Sequence, residues 1–206
     1  MTYALFESDG LILAAAAGHH LDDRRTLIRD AERGTLVRIR RGAYVEASRW
    51  DGCSSRERHL LRIRAANAAS DAPIVVARES AAALWGMPIA GSYPDDVTVL
   101  VEWPGGGSSE AGVRRTVDGF HSAEIVEVDG ILTTSLARTA LDVARFAPFA
   151  DAMGSIDWAL WRRNPSAIPL AELAADFERW GPRVGRRQLR RAIPFASALS
   201  DSFGES

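Results

Sequence analysis

Gly34–Val45 reads GTLVRIRRGAYV. Val37, Arg38, Ile39 and Arg40 alternate apolar and basic residues, the period of a strand whose two faces meet different surroundings. Arg41-Gly42 supplies a turn and Ala43-Tyr44-Val45 returns. This predicts a two-stranded ribbon with Arg38 and Arg40 on one face and Val37 and Ile39 on the other. What precedes it sets the fold. Gly34 is placed to close a helix, because a left-handed residue commonly ends the last turn. Leu21–Arg33 carries Leu21, Leu27, Ile28 and Ala31 close to helical spacing, and Leu11–Ala17 is apolar and helix-prone. Helix, helix and basic ribbon is the order of a winged helix-turn-helix, in which the second helix enters the major groove and the ribbon lies along the backbone.

The charges follow that layout. The 206 residues carry a formal net charge of -2, so attraction to phosphate must come from local clustering. All 25 basic residues are arginine, whose guanidinium makes forked contacts to phosphate and to guanine edges. From His19 to Arg64 twelve arginines stand against seven acids. On the second helix Arg24, Arg25, Arg29 and Arg33 are candidates for base or phosphate contacts, Arg25 and Arg29 sharing a face. On the ribbon Arg38, Arg40, Arg41 and Tyr44 are expected to hold the backbone. Asp30 and Glu32 dilute the patch; Asp22 and Asp23 fit the helix N-terminus, where the dipole favours them. The stretch by itself fits two readings, a docking surface for DNA or an ordinarily solvated charged face.

Downstream, residues 54–69 read as a helix opened by Ser54 or Ser55. Residues 73–132 read as a small mixed region. It has strands at 73–77, 97–102, 113–117, 123–128 and 130–133, a helix over 79–85 stopped by Gly86, and the loop WPGGGSSEAG at 103–112. Helices follow at 135–146, 151–162, 170–180 and 185–195. The fold class is α+β: a winged helix over 1–50, an α+β domain with a helical C-terminal part over 51–195, and a flexible tail over 196–206. Glu178–Arg191 is a second basic cluster, six arginines against one glutamate. Arg183, Arg187 and Arg190 or Arg191 form a stripe there, with Arg186 beside it. It is a second phosphate surface, a docking site for an acidic partner, or a solvated terminal helix. Trp85, Trp158, Trp161 and Trp180 are expected to pack, Trp161 and Trp180 with a second reading as interface residues.

Three blocks resemble one family. Leu21–Val45 with its closing LVRIRRGAYV, ARESAAALWGMPI at 77–89, and DGILTTSLARTALDVAR at 129–145 occur in the order of the AbiEi family of antitoxins. These are transcriptional autoregulators of type IV toxin–antitoxin and abortive-infection systems. The resemblance covers most of residues 20–160. It implies an N-terminal winged helix bound to double-stranded DNA at the protein's own promoter, and a toxin or phage protein as partner. Some members continue into a nuclease-like domain. Ser202-Phe203-Gly204-Glu205-Ser206 stops where that domain would begin, so the chain is expected to be either a natural truncation or part of a longer protein.

Little else points to chemistry. Cys53 is a lone cysteine, which suits a reducing compartment and offers no thiolate cage. His19-His20 lacks a third ligand, and Cys53 with His59 lacks an orienting group, so neither a metal nor a nucleophile is expected. Arg138 and Asp142 are one turn apart, the spacing of an ion pair. Pro104–Gly107 is no phosphate loop, since no GK[ST] follows. A nuclease needs clustered carboxylates and a lysine, and the sequence has no lysine. The N-terminus lacks the basic start of a signal peptide, and no apolar run approaches the roughly 20 residues that span a bilayer. The expectation is a cytoplasmic, non-enzymatic protein without cofactor or membrane, a monomer or weak dimer. It acts as a DNA-binding autoregulator and antitoxin. The alternative is a protein-interaction module, toxin-neutralising or active in phage defence, without specific DNA binding.

Overall fold

The computed structural model describes residues 7–8, 10–14, 21–103 and 111–197. Two sheets and eight helices of four residues or more account for these residues, in a mixed α+β arrangement.

The first sheet is antiparallel, in the order β1-β2-β4-β3. Its strands are β1 (Glu7–Ser8), β2 (Leu11–Leu13), β3 (Leu36–Arg40) and β4 (Ala43–Glu46), with helix α1 (Leu21–Glu32) between β2 and β3. The ribbon is therefore present, but the order helix, helix, ribbon is not: Leu11–Leu13, expected in a helix, is a strand. Ile12 lies opposite Tyr44 and Leu13 opposite Ala43. The reason is that both faces of β2 are covered. Ile12 packs with Ala14, Leu27, Leu36 and Tyr44 toward α1, and Leu11 packs with Ala43 and Ala65 on the other side. A strand buried on two faces is continuously apolar and has no period to distinguish it from a helix. The rest of the expected first helix, Ala15–Ala17, lies outside the described residues.

The end of α1 follows expectation. Gly34 has φ +78°, Gly34 N donates to Ala31 O at 3.1 Å and Thr35 N to Asp30 O at 3.0 Å. That pair of bonds caps the last carbonyls and turns the chain into β3.

After the short helix α2 (Ala47–Gly52) comes α3 (Ser55–Ala69), opened by a capping box. Ser54 Oγ accepts from Glu57 N at 3.3 Å, and Glu57 accepts from Ser54 N at 2.7 Å. Helix α3 is a shared wall. Its Ala65 closes the first sheet, while Ile63 and Ala66 enter the core of the second.

The second sheet runs β7-β6-β5-β9-β8 and is mixed. Its strands are β5 (Val75–Val76), β6 (Val97–Leu100), β7 (Val113–Thr116), β8 (Ile125–Val128) and β9 (Ile131–Thr134). Helix α4 (Arg78–Trp85) follows β5 and stops at Gly86, φ +76°. Ala81, Ala83 and Leu84 face the sheet core, whereas Ala82 faces the helices that follow.

Those helices are α5 (Leu136–Ala144), α6 (Phe149–Leu160), α7 (Leu170–Arg179) and α8 (Arg186–Ala192), continued by a 3₁₀ turn at Ile193–Phe195. All nine residues of α5 are buried. Trp180 is 2% exposed, so it is a core residue and not an interface one. Trp85 Nε1 donates to Thr134 O at 3.0 Å, Trp158 packs against the helical core, and Trp161 is half-buried. Of the expected tail, Ser197 N donates to Asp157 Oδ1 at 2.6 Å, and residues 198–206 lie outside the described residues. No helix among the described residues is long and apolar enough to cross a membrane.

Candidate nucleic-acid interface

Helix α1 divides its residues by the surface they meet. Leu27 is 1% exposed and packs on Ile12, Leu36 and Tyr44, while Arg24, Arg25, Arg29 and Arg33 are exposed. Arg29 Nη2 also donates to Thr26 Oγ1 at 3.3 Å, which steadies it along the helix.

The ribbon differs from the expectation. Arg38 lies opposite Tyr44, but Arg40 lies opposite Ala43, its neighbour, with an irregularity between them. Adjacent residues of β4 point to opposite faces, so Arg38 and Arg40 do too. Arg38 is on the α1 side and exposed. Arg40 is on the α3 side and half-buried, and that burial holds its guanidinium below the ordinary arginine range. A bulge adds one residue to one strand and shifts the phase of everything after it, which is why period two failed here. Tyr44 is 4% exposed and belongs to the small core; its ring supports the face and is not available along a backbone. Nor is the ribbon a free wing. One face is covered by α1 and the other by α3, leaving the tip at Arg41-Gly42, where Arg41 is exposed.

What the fold does bring together is Arg24 of α1 with Arg38 and Arg41 of the ribbon. They line a hollow of about 630 Å³ together with Leu13, Ala14, Ile28, Gly42, Ala43, Tyr44 and Ala65, Ala68 and Ala69 of α3. Every charged side chain among these is an arginine. Arg25 and Arg29 of α1 and Arg33 just after it are exposed and stand outside the hollow. The other arginines of the N-terminal third are held in place by the fold. Arg56 Nε donates to Ala83 O at 2.8 Å and Arg58 Nε to Trp50 O at 3.0 Å. Arg62 meets Asp95 at 2.6 Å and lies over Trp50 with Arg58.

The C-terminal cluster splits as well. Arg183 precedes α8 and turns inward, Nη1 to Asp118 at 3.1 Å and Nη2 to Ser122 Oγ at 3.1 Å. Arg186 donates to Phe177 O at 2.6 Å and Gly181 O at 3.0 Å and pairs with Glu178 at 2.9 Å. Neither belongs to an open basic surface. Arg187, Arg190 and Arg191 are exposed, and the expected stripe starts at Arg187.

Arg183 joins a buried network that local spacing shows only in part. Arg138 Nε meets Asp142 at 2.8 Å, the expected ion pair, with side chains 2% exposed. Arg145 faces both Asp142, at 3.4 Å, and Asp118. Arg78 reaches Asp118 at 3.4 Å, and Arg138 Nη2 donates to Asp118 O at 2.5 Å. Burial raises the Asp118 carboxyl, but the hydrogen bond and charge of Arg145, with Arg183 and Arg78, hold it below the ordinary carboxylate range. Asp118 thus locks the segment after β7 to α4, α5 and the start of α8.

His59 and Cys53 do not form a pair. Cys53 is half-buried at the end of α2, while the His59 ring is 0% exposed in the core. Its Nδ1 lies 2.8 Å from Pro94 O and its Nε2 2.8 Å from Ser80 Oγ. His19 and His20, the glycines of 105–107 and residues 198–206 lie outside the described residues. Among the described residues no three His, Cys, Asp or Glu side chains converge as a metal site. Compared with known families, curated proteins and solved structures, the chain matches none.

Proposed function

We propose that the chain is a DNA-binding transcriptional regulator of the AbiEi antitoxin kind, acting on its own promoter and without enzymatic activity. The observation that carries this reading is the convergence of Arg24, Arg38 and Arg41 on one hollow whose lining holds no acid. Arg25 and Arg29 of α1 and Arg33 after it add exposed guanidiniums next to the hollow. Guanidinium groups arranged around a concave face meet phosphates on both sides of a groove, and such contacts position a protein on a duplex. The reading assigns duplex binding to α1 and the ribbon tip, with Arg40 and Tyr44 as supports.

The test is a fluorescence-anisotropy titration of the promoter duplex and a scrambled duplex at several salt concentrations. Each phosphate contact contributes about 0.9 to the slope of log affinity against log salt, so Arg24→Ala/Arg38→Ala/Arg41→Ala lowers that slope by roughly 2.7. The promoter is expected to bind more tightly than the scrambled duplex. An unchanged slope in the triple variant, or no duplex binding at low salt, refutes the assignment.

A further inference from the structure

A second surface lies near the C-terminal end of the described residues, where α8 packs at the junction of α5 and α6. Gln188 fixes the packing: its Nε2 donates to Ala144 O at 2.8 Å and to Ala147 O at 2.6 Å. Leu189 and Ala192 are buried on the same side. The opposite side of α8 carries Arg187, Arg190 and Arg191, all exposed. Pro182–Ser197 contains no acidic residue, so nothing within this segment neutralises them.

Aromatic rings accompany these cations. The packing places Arg191 over Phe149, 6.0 Å from the ring centroid. Arg187 and Arg191 are four apart on α8, which sets them on one side, and Phe195 closes the 3₁₀ turn that continues the helix. Phe149 is 45% exposed and Phe195 73%. An exposed ring beside exposed guanidiniums offers a stacking face and phosphate donors in one place.

We propose that Arg187, Arg191, Phe149 and Phe195 form a binding surface for single-stranded nucleic acid. The arginines take the phosphates and the phenyl rings stack with bases. Single-stranded binders combine these two features, a basic track and open aromatic faces. A duplex keeps its base faces stacked inside and would leave both rings uncovered. An acidic peptide would satisfy the arginines, yet gives flat rings no special role. The surface is separate from the hollow at α1, and its occupancy does not depend on duplex binding there.

The experiment uses the full chain and a short fluorescein-labelled oligo(dT), read by anisotropy at low and moderate salt, with poly-L-glutamate and an unlabelled duplex as competitors. Stacking of one base is worth about 1–3 kcal/mol, so Phe195→Ala is expected to weaken binding about 5- to 150-fold. Phe195→Tyr retains it. Arg187→Ala/Arg191→Ala weakens binding and flattens its salt dependence, whereas Arg24→Ala/Arg38→Ala/Arg41→Ala leaves it unchanged. All of these substitutions are at exposed positions, and thermal melts confirm that each variant is folded. The proposal is overturned by any of four results: no oligo(dT) binding at low salt, Phe195→Ala binding like the parent, loss only in the α1 and ribbon variant, or equal competition by polyglutamate. The last would make the surface a site for acidic proteins.

Discussion

Lowering the pH from about 7.5 to 5 should destabilise the protein through His59, by an amount set by its surroundings. The ring is fully buried between α3, α4 and the segment before β6, stacked on Tyr93 with centroids 5.6 Å apart. Pro94 O accepts only, so the proton of the neutral ring sits on Nδ1 and Nε2 is bare. Ser80 then donates its hydroxyl to Nε2 at 2.8 Å and accepts Thr98 N at 2.9 Å. Every polar atom of the motif is satisfied only while the imidazole is neutral. Burial disfavours the cation, Arg62 adds to that, and the Pro94 contact and Asp95 oppose it; the balance takes His59 down to about 4.

The sign follows from linkage. Above the unfolded value of about 6.5 both states are neutral and stability is complete. Below it the unfolded chain takes up a proton that the native chain refuses, so stability falls as pH falls, until the native ring titrates near 4. Between pH 7.5 and 5 the loss amounts to about 2 kcal/mol, from roughly 1.4 kcal/mol per pH unit over the interval below 6.5. Urea unfolding followed by tryptophan fluorescence measures it, with His59→Gln as the non-titrating reference. The carboxylates that titrate near pH 5 contribute equally to both proteins and cancel in the difference. If the parent and His59→Gln lose stability in parallel down to pH 5, the neutral buried ring is wrong.

Other substitutions probe the supports of the two surfaces. Ser80→Ala leaves both the His59 ring and Thr98 N short of a partner in a fully buried site, and should cost about 2–3 kcal/mol by the same urea assay. Asp142→Ala removes the buried carboxylate that faces Arg138 and Arg145, leaving them with Asp118, and should cost about 3 kcal/mol, read as a lower melting temperature. Gly185→Ala places a Cβ 2.6 Å from Arg145 Cβ at a φ of +86°, so calorimetry should show a loss above the ~1 kcal/mol typical of a strained left-handed residue. Ser54→Ala removes one half of the capping box of α3, with an expected loss of about 1 kcal/mol in urea.

How far the sequence reveals this protein depends on how local each interaction is. The helix end at Gly34, the helix start at Ser54 or Ser55 and the Arg138–Asp142 pair each lie within one or two helical turns, and each is readable from spacing, though not which serine caps or that Glu57 completes a capping box. Asp118 is not. Its partners Arg78, Arg145 and Arg183 are 27 or more residues away in the chain, and only the packed fold brings them to one carboxylate. The strand at Leu11–Leu13 is hidden for a different reason, because burial on both faces erases the alternation that marks a strand. The ribbon shows a third. Val37 to Arg40 alternates perfectly in sequence, yet a register change between Arg38 and Arg40 sends the second arginine to the far face. Alternation reports the faces of a strand only while pairing stays in phase. The same logic bears on the basic surfaces. Arginine density marked both ends of the chain correctly as charged, but it counted Arg183 and Arg186 with Arg187, Arg190 and Arg191. The fold separates them by what each guanidinium meets. The first two are bound to Asp118, Ser122, Glu178 and backbone carbonyls, and the last three face water. A charge count therefore overstates the open basic surface by the arginines that the fold itself uses, and the residues left over are the ones that stay open to water.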